Sequence, residues 1–198
     1  MLFFYAIISL GDAMNKEIEI RLLDVDKEDF IKQILSLGAS KDSEFLQRRY
    51  TYDFNPVVKN KWIRLRTNGK KTTLTIKEII DKKSISGTNE LEIEVSDFNK
   101  TNLVLEKLGY NHRNYQENYR EIYYLDDVEI SIDSWPLIPT YVEFESKSEE
   151  KINSLLEKLS YEKENLTTLD VTSIYNDIYN IDILKIKELK FENSNDKK

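Results

Sequence analysis

An α+β fold built on an antiparallel sheet is predicted from three features of the chain. Segments of alternating charged and apolar residues recur along it, and a residue shares a strand face with its second neighbour. The helical patterns are segregated among runs of strands, in the order strand, helix, strands, helix, strands, helices, which disfavours a parallel βαβ sheet. Cap and turn residues stand where each segment would end.

Taken in order, residues 16–23 alternate as a strand. Asp26 is the expected N-cap of a helix that carries Phe30, Ile31, Ile34, Leu35 and Leu37 at helical spacing and ends at Gly38. Residues 45–53 are rich in aromatic and β-branched types and read as a strand broken by Asn55-Pro56. Strands at 61–67 and 72–79 are joined around Asn68-Gly69, a strong hairpin dipeptide. The polar stretch Asp81–Gly87 reads as a mobile loop before a strand at 88–95. Asp97 caps a helix with Leu103, Val104, Leu105 and Leu108 on its buried side, ended by Gly109.

Strands at 117–124 and 127–133 turn at Asp126-Asp127, Trp135–Pro139 forms a stiff connector, and the last strand covers 140–146. Ser146 and Glu149 fit a capping box for a helix through Leu159, and 167–178 reads as a further short helix. About eight strands and four or five helices result, in a single domain over 14–190 with a disordered tail at 191–198. The apolar run from Met1 to Leu10 has no basic leader and is half the length of a membrane span. Met14 is therefore the expected start and 1–13 an upstream extension; the other reading is a short strand or membrane-surface anchor.

Composition narrows the function classes. The 198 residues are 40% apolar and 33% charged, enough for a core beneath an unusually charged surface. A net charge of −7 argues against a general nucleic-acid binder. With no cysteine there is no disulfide, thiolate zinc site or cysteine nucleophile, and a cytoplasmic location is expected. The one histidine, His112, sits in a polar loop and reads as a surface residue; Trp62 borders a basic strand, and Trp135 anchors the connector.

The charged faces can be followed by parity. Glu17, Glu19 and Arg21 share a face; so do Arg64 and Arg66, Thr73, Thr75 and Lys77, and Glu90, Glu92 and Glu94. Arg120 lies with Asn118, Asp133 with Ser131 and Glu129, and Glu143 with Glu145. Any one such strand reads as the wet face of an ordinary sheet. As a set they differ, because near-pure acid or near-pure base at every second position repels itself unless cations or facing bases compensate. Acids that hold hard cations beside bases that hold phosphate oxygens suit a polyphosphate–metal site.

These motifs resemble, in order, those of the CYTH superfamily, the triphosphate tunnel metalloenzymes. Glu17-x-Glu19-x-Arg21 is similar to its first acidic signature, Arg64-x-Arg66 to its arginine strand and Leu74-Thr-Ile-Lys77 to its lysine strand. Glu90-x-Glu92, Arg120, Asp133 and Glu143-x-Glu145 complete the match, which runs from Lys16 to about Leu159.

The resemblance implies a closed eight-stranded antiparallel barrel, a tunnel with charged faces inward and helices outside. It implies a linear triphosphate substrate and Mg²⁺ or Mn²⁺, two ions, held by Glu17, Glu19, Glu92, Asp133, Glu143 and Glu145, with Glu90 and Glu94 as further tunnel acids. Arg21, Arg64, Arg66, Lys77 and Arg120 would hold phosphate, and Glu17, Glu19, Arg120 and Lys77 would take the catalytic roles. About eight acids against about five bases would leave the tunnel near −3, and two divalent ions would bring it to about +1.

The activity expected is metal-dependent hydrolysis of inorganic, nucleoside or thiamine triphosphate, the alternatives being a class IV-type adenylyl cyclase and a non-catalytic polyphosphate or nucleotide binder. No nucleic acid or membrane partner is expected, and a homodimer is left open. Arg21 departs from the family's lysine, and Asn118 stands where some hydrolases of the family carry a lysine. Which of Arg48 and Arg49 faces inward is open, and Glu78–Gly87 is a candidate mouth loop. Glu143→Gln and Arg64→Ala are expected to abolish activity in a protein that stays folded.

Overall fold

A computed structural model describes residues 14–161 and 165–192; the expectations for 1–13 and for 193–198 lie outside the described residues. The strands are β1 (Asn15–Glu17), β2 (Glu19–Leu22), β3 (Ser40–Asp53), β4 (Lys61–Thr67), β5 (Thr72–Ile79), β6 (Thr88–Val95), β7 (Asn114–Leu125), β8 (Val128–Ser134), β9 (Tyr141–Glu145), β10 (Leu166–Thr167) and β11 (Glu188–Leu189). The helices are α1 (Lys27–Ser36), α2 (Phe98–Lys107), α3 (Glu149–Leu159) and the short α4 (Val171–Ser173).

The sheet is antiparallel and curled, but it is an open half-barrel and not the closed eight-stranded barrel expected. Its hydrogen-bonded order is β1-β6-β5-β4-β3-β7-β8-β9-β2-β10, ten strands, with β11 running parallel to β7 off this path. The reason lies at Ile18, where the strand expected over 16–23 is broken. Asn15–Glu17 pairs with β6, whereas Glu19–Leu22 pairs with β9, so one segment serves both flanks of the curl without forming one ladder. At the break, Ile18 O accepts from Ser146 N at 3.2 Å and Glu19 N donates to Ile85 O at 2.9 Å.

Period-2 alternation sorts the side chains, and the apolar ones go to the convex face. Ile130, Ile132, Val142 and Phe144 meet Phe30 and Ile34 of α1 and Ile152, Leu155 and Leu159 of α3 in the main core. On the other flank α2 covers Tyr52, Ile63 and Leu65 with Leu105 and, partly buried, Phe98. Leu103, Val104 and Leu108, expected to be buried, are 52%, 56% and 69% exposed. The helix lies on the sheet by one narrow stripe, so its other apolar residues point away.

Local signals were read correctly at Asp26 and Asp97, whose carboxylates accept from Asp29 N and Lys100 N. The cap of α3 is Ser148, not Ser146: Ser148 Oγ accepts from Lys151 N, and Ser146 Oγ instead donates to the Asp127 carbonyl. The helix expected over 167–178 is shorter, since Leu166–Thr167 pairs with β2 and the helical turns begin at Val171. The loop before β6 is held by backbone hydrogen bonds from Ile80 and Asp81 to Gly87 O. A Cβ on Gly87 would lie 1.7 Å from the Asp81 carbonyl oxygen, so only glycine fits there.

Candidate functional site

The charged side chains that leave the core converge on the concave face. Seven carboxylates and six bases line a cavity of about 210 Å³ there. It continues into a mouth of about 320 Å³, with which it shares Glu19, Arg21, Arg49, Arg64, Lys77 and Val171. Trp62, Val57, Val58 and Ile79 give the mouth an apolar side.

Register sets which groups meet. Glu19 and Glu129 are both directly opposite Glu145, so three carboxylates lie in a row across β2, β9 and β8. Across the curl, Arg64 and Arg66 of β4 face Thr75 and Thr73 of β5, which in turn face Glu92 and Glu94 of β6. Threonine thus spaces the bases from the acids. Arg64 lies 3.4 Å from Glu90 and 3.5 Å from Glu92, Arg66 is 3.6 Å from Glu92, and Thr75 donates to Glu92 at 2.8 Å. Lys77 bridges Glu17 at 2.7 Å and Glu90 at 3.0 Å.

Glu143 is the most strongly held acid. Arg21 lies 2.6 Å from one of its oxygens and Arg120 3.1 Å from the other. Arg120 is clamped in turn by both oxygens of the fully buried Asp133, at 2.9 and 2.5 Å. Arg21 also donates to Glu19 at 2.9 Å and to the Leu169 carbonyl at 3.0 Å. Its predicted phosphate role meets this geometry: the guanidinium ties two acids to the C-terminal segment and retains only Nε without a partner.

The electrostatics divide the cavity. Burial, then Glu143, Glu129, Glu17 and Glu19, pushes Glu145 up to about 8. Burial likewise raises Glu17 to about 7 against the pull of Lys77. Burial also works against the charged forms of Glu90 and Glu143, but Lys77 and Arg64 bring Glu90 down to about 2, and Arg21 and Arg120 hold Glu143 below the usual carboxylate range. On the basic side, burial followed by neighbouring guanidinia pushes Arg49 down to about 9 and Arg66 to about 10. One wall is short of positive charge and the other of negative charge. Among the described residues no three acidic or imidazole groups already converge as a metal cage.

The acid row gives a prediction with a definite sign. The unfolded chain releases the Glu145 proton at the ordinary carboxylate value and the folded protein only near 8, so stability falls as pH rises through that window. Glu145→Gln removes the penalty. The variant should exceed the parent by roughly 3–5 kcal/mol above pH 8 and match it near pH 4. Urea titrations of both proteins in chelator measure the gap; a gap that does not change with pH would refute it.

Of the residues expected in the site, Glu17, Glu19, Arg21, Arg64, Arg66, Lys77, Glu90, Glu92, Arg120, Glu143 and Glu145 line the cavity, and Asp133 lies directly behind Arg120. Glu94 does not: it is exposed near the strand end, 3.6 Å from Lys71. The open choice between Arg48 and Arg49 falls to Arg49, buried in the cavity with its guanidinium 4.5 Å from the Trp135 ring centre. It donates to Gln47 at 2.8 Å and to Asn118. Asn118 itself donates to Asp133 at 2.6 Å, so it links a base to an acid.

Glu129 and Tyr141 also line the cavity and were not among the expected site residues. Parity had already put Glu129 on the face of Asp133, and parity with Glu143 puts Tyr141 there too. His112 is half-buried against Tyr50 rather than free on the surface.

A curled antiparallel sheet with helices on its convex side and sorted acids and bases on its concave side defines the class. The chain belongs to the CYTH domain family, whose profile matches residues 15–175. Solved structures share the fold. A conserved hypothetical protein from Pyrococcus furiosus is 25% identical with a TM-score of 0.68, covering 78% of this chain and 97% of its own. A candidate adenylate cyclase from Vibrio parahaemolyticus is 12% identical with a TM-score of 0.69, covering 82% and 98%. A candidate adenylyl cyclase from Hippeastrum, described as having a dominant triphosphatase activity, is 16% identical with a TM-score of 0.55, covering 83% and 95%. No curated protein matches the chain. No helix among the described residues is long and apolar enough to cross a membrane.

Proposed function

We propose that the protein is a divalent-metal-dependent hydrolase of linear triphosphates. One observation carries this reading: in a cavity that also sets Glu129 opposite Glu145 with no ion pair to either among the described residues, the buried Nε atoms of Arg21, Arg49 and Arg64 have no hydrogen-bond partner. A buried donor left unpaired is costly, and a chain of phosphate oxygens would satisfy such donors.

The residues fit a cation as well. Glu19, Glu129 and Glu145 stand in register, and of the three only Glu19 has an ion pair among the described residues, with Arg21; like charges placed so are destabilising. Oxygen ligands of this kind suit Mg²⁺ or Mn²⁺. Glu17, Glu19, Glu143 and Glu145 would hold the metal, with Glu92 and Asp133 as the remaining family acids. When bound, the metal neutralises phosphate charge and polarises a water. The protein's own groups do the rest: Arg49, Arg64, Arg66 and Lys77 bind and orient the phosphates, and Asp133 holds Arg120 at the cavity wall.

A second reading, adenylyl cyclase, draws on the mouth. A nucleoside carried by the triphosphate would find the apolar side made by Trp62, Val57, Val58 and Ile79 next to the phosphate-sized cavity. One assay separates the readings. The protein is incubated with inorganic triphosphate, ATP or thiamine triphosphate and Mg²⁺ or Mn²⁺, and orthophosphate, pyrophosphate and cyclic AMP are measured. Metal-dependent orthophosphate release is expected. Cyclic AMP with pyrophosphate would select the cyclase, and metal-dependent binding without turnover would select a binder.

A further inference from the structure

The convex face carries a second concentration of chemistry, outside the site described. A groove of about 600 Å³ lies between β3, the start of α2, β7 and β11. Its floor is aromatic. Tyr50 stacks on Phe98 with ring centres 5.0 Å apart and planes within 13°, and His112 and Tyr115 lie 4.5 and 5.4 Å from Tyr50.

Its rim is basic. Arg113 and Lys190 are matched by Asp53 and Glu188, at 2.7 and 2.5 Å. Among the described residues, Arg48 and Lys187 make no ion pair, and the Arg48 guanidinium lies 5.8 Å from the Phe98 ring centre. Such a rim on a chain of net charge −7 is a local reversal of sign. The buried Nδ1 of His112 also lacks a hydrogen-bond partner, the nearest carboxylate oxygen, on Glu106, being 3.6 Å away. Tyr50 and Phe98 also pack against the core beneath α2, and the groove opens between the aromatic cluster and this rim.

We infer that this groove is a second binding site, for a nucleoside phosphate. The base lies against the aromatic floor, and the phosphate sits between Arg48 and Lys187. Stacking needs only a π-face, while Arg and Lys supply charge-assisted contacts. The volume is in the range of small-ligand sites, roughly 300–1,000 Å³. The sheet separates the two sites, because adjacent Arg48 and Arg49 point to opposite faces. Each can therefore be disabled alone.

Calorimetry without divalent metal tests this on the full chain, on Arg64→Ala, which disables the concave cavity, and on the double variant Arg48→Ala, Lys187→Ala, whose side chains are exposed. The probes are AMP, adenosine and inorganic phosphate. AMP should bind the full chain and the Arg64 variant alike, and the double variant about tenfold or more weakly, the loss of one to two charged contacts. Adenosine and phosphate should each bind more weakly than AMP. The inference fails if AMP shows no saturable binding, if binding disappears with Arg64, if the double variant binds unchanged, or if phosphate binds as tightly as AMP.

Discussion

Glu143→Gln should lower the unfolding free energy by about 3 kcal/mol at neutral pH, the lower end of the cost of breaking a buried ion pair. This refines the expectation that the substitution would leave the fold undisturbed. Glu143 is 6% exposed and receives Arg21 and Arg120 from opposite sides. Glutamine has nearly the same shape but no charge, and its amide would present donors to two guanidinia that are themselves donors only. Arg21 keeps Glu19 and Arg120 keeps Asp133, so the loss is partial.

The pH dependence identifies the cause. The two arginines depress the folded-state pKa of Glu143, so its stabilisation is present above the ordinary carboxylate value and is lost as pH falls through the folded one. Urea titrations should show the gap between parent and variant shrinking steadily on acidification. A gap that is absent at neutral pH would mean that Glu143 is not the counter-charge of this cluster.

Much of this cluster could be read in the sequence, and the limits have physical causes. Period-2 alternation is local, so it assigned Glu17, Glu19, Arg64, Arg66, Glu143 and Glu145 to charged faces before any pairing was known. Pairing is not local. Parity put Glu129 on the face of Asp133, but nothing within β8 or β9 says that it stands opposite Glu145. Arg48 and Arg49 were equivalent on charge alone, and the register of β3 against β7 separates them by placing Arg49 opposite Gln116.

The expectation of a closed barrel failed at one residue, Ile18, because alternation continues through a break in hydrogen bonding as smoothly as through an unbroken strand. The polar start of β3, residues 40–44, carried no strand signal and is held by pairing with β7. β11 is two residues long and owes its conformation to its neighbour, β7.

Arg64→Ala is the cleaner probe of function, because its costs to folding cancel. Arg64 holds Glu90 and Glu92 only loosely, at 3.4 and 3.5 Å. Both acids keep other partners without it: Lys77 lies 3.0 Å from Glu90, and Thr75 donates to Glu92 at 2.8 Å. Removing Arg64 also relieves the neighbouring Arg49 and Arg66, whose charged forms it disfavours. Stability should therefore stay close to the parent's, the attraction lost at Glu90 and Glu92 being offset by the repulsion relieved at Arg49 and Arg66.

Activity should respond very differently. Arg64 lines the cavity and its buried Nε has no hydrogen-bond partner, which fits a donor kept for phosphate. Losing one such donor costs about 10²–10³ in kcat. Turnover of inorganic triphosphate, measured beside a urea titration of the same sample, checks both halves. Turnover within threefold of the parent would remove Arg64 from the phosphate site. A large loss of stability would show that the basic wall is held by Arg64 and not strained by it.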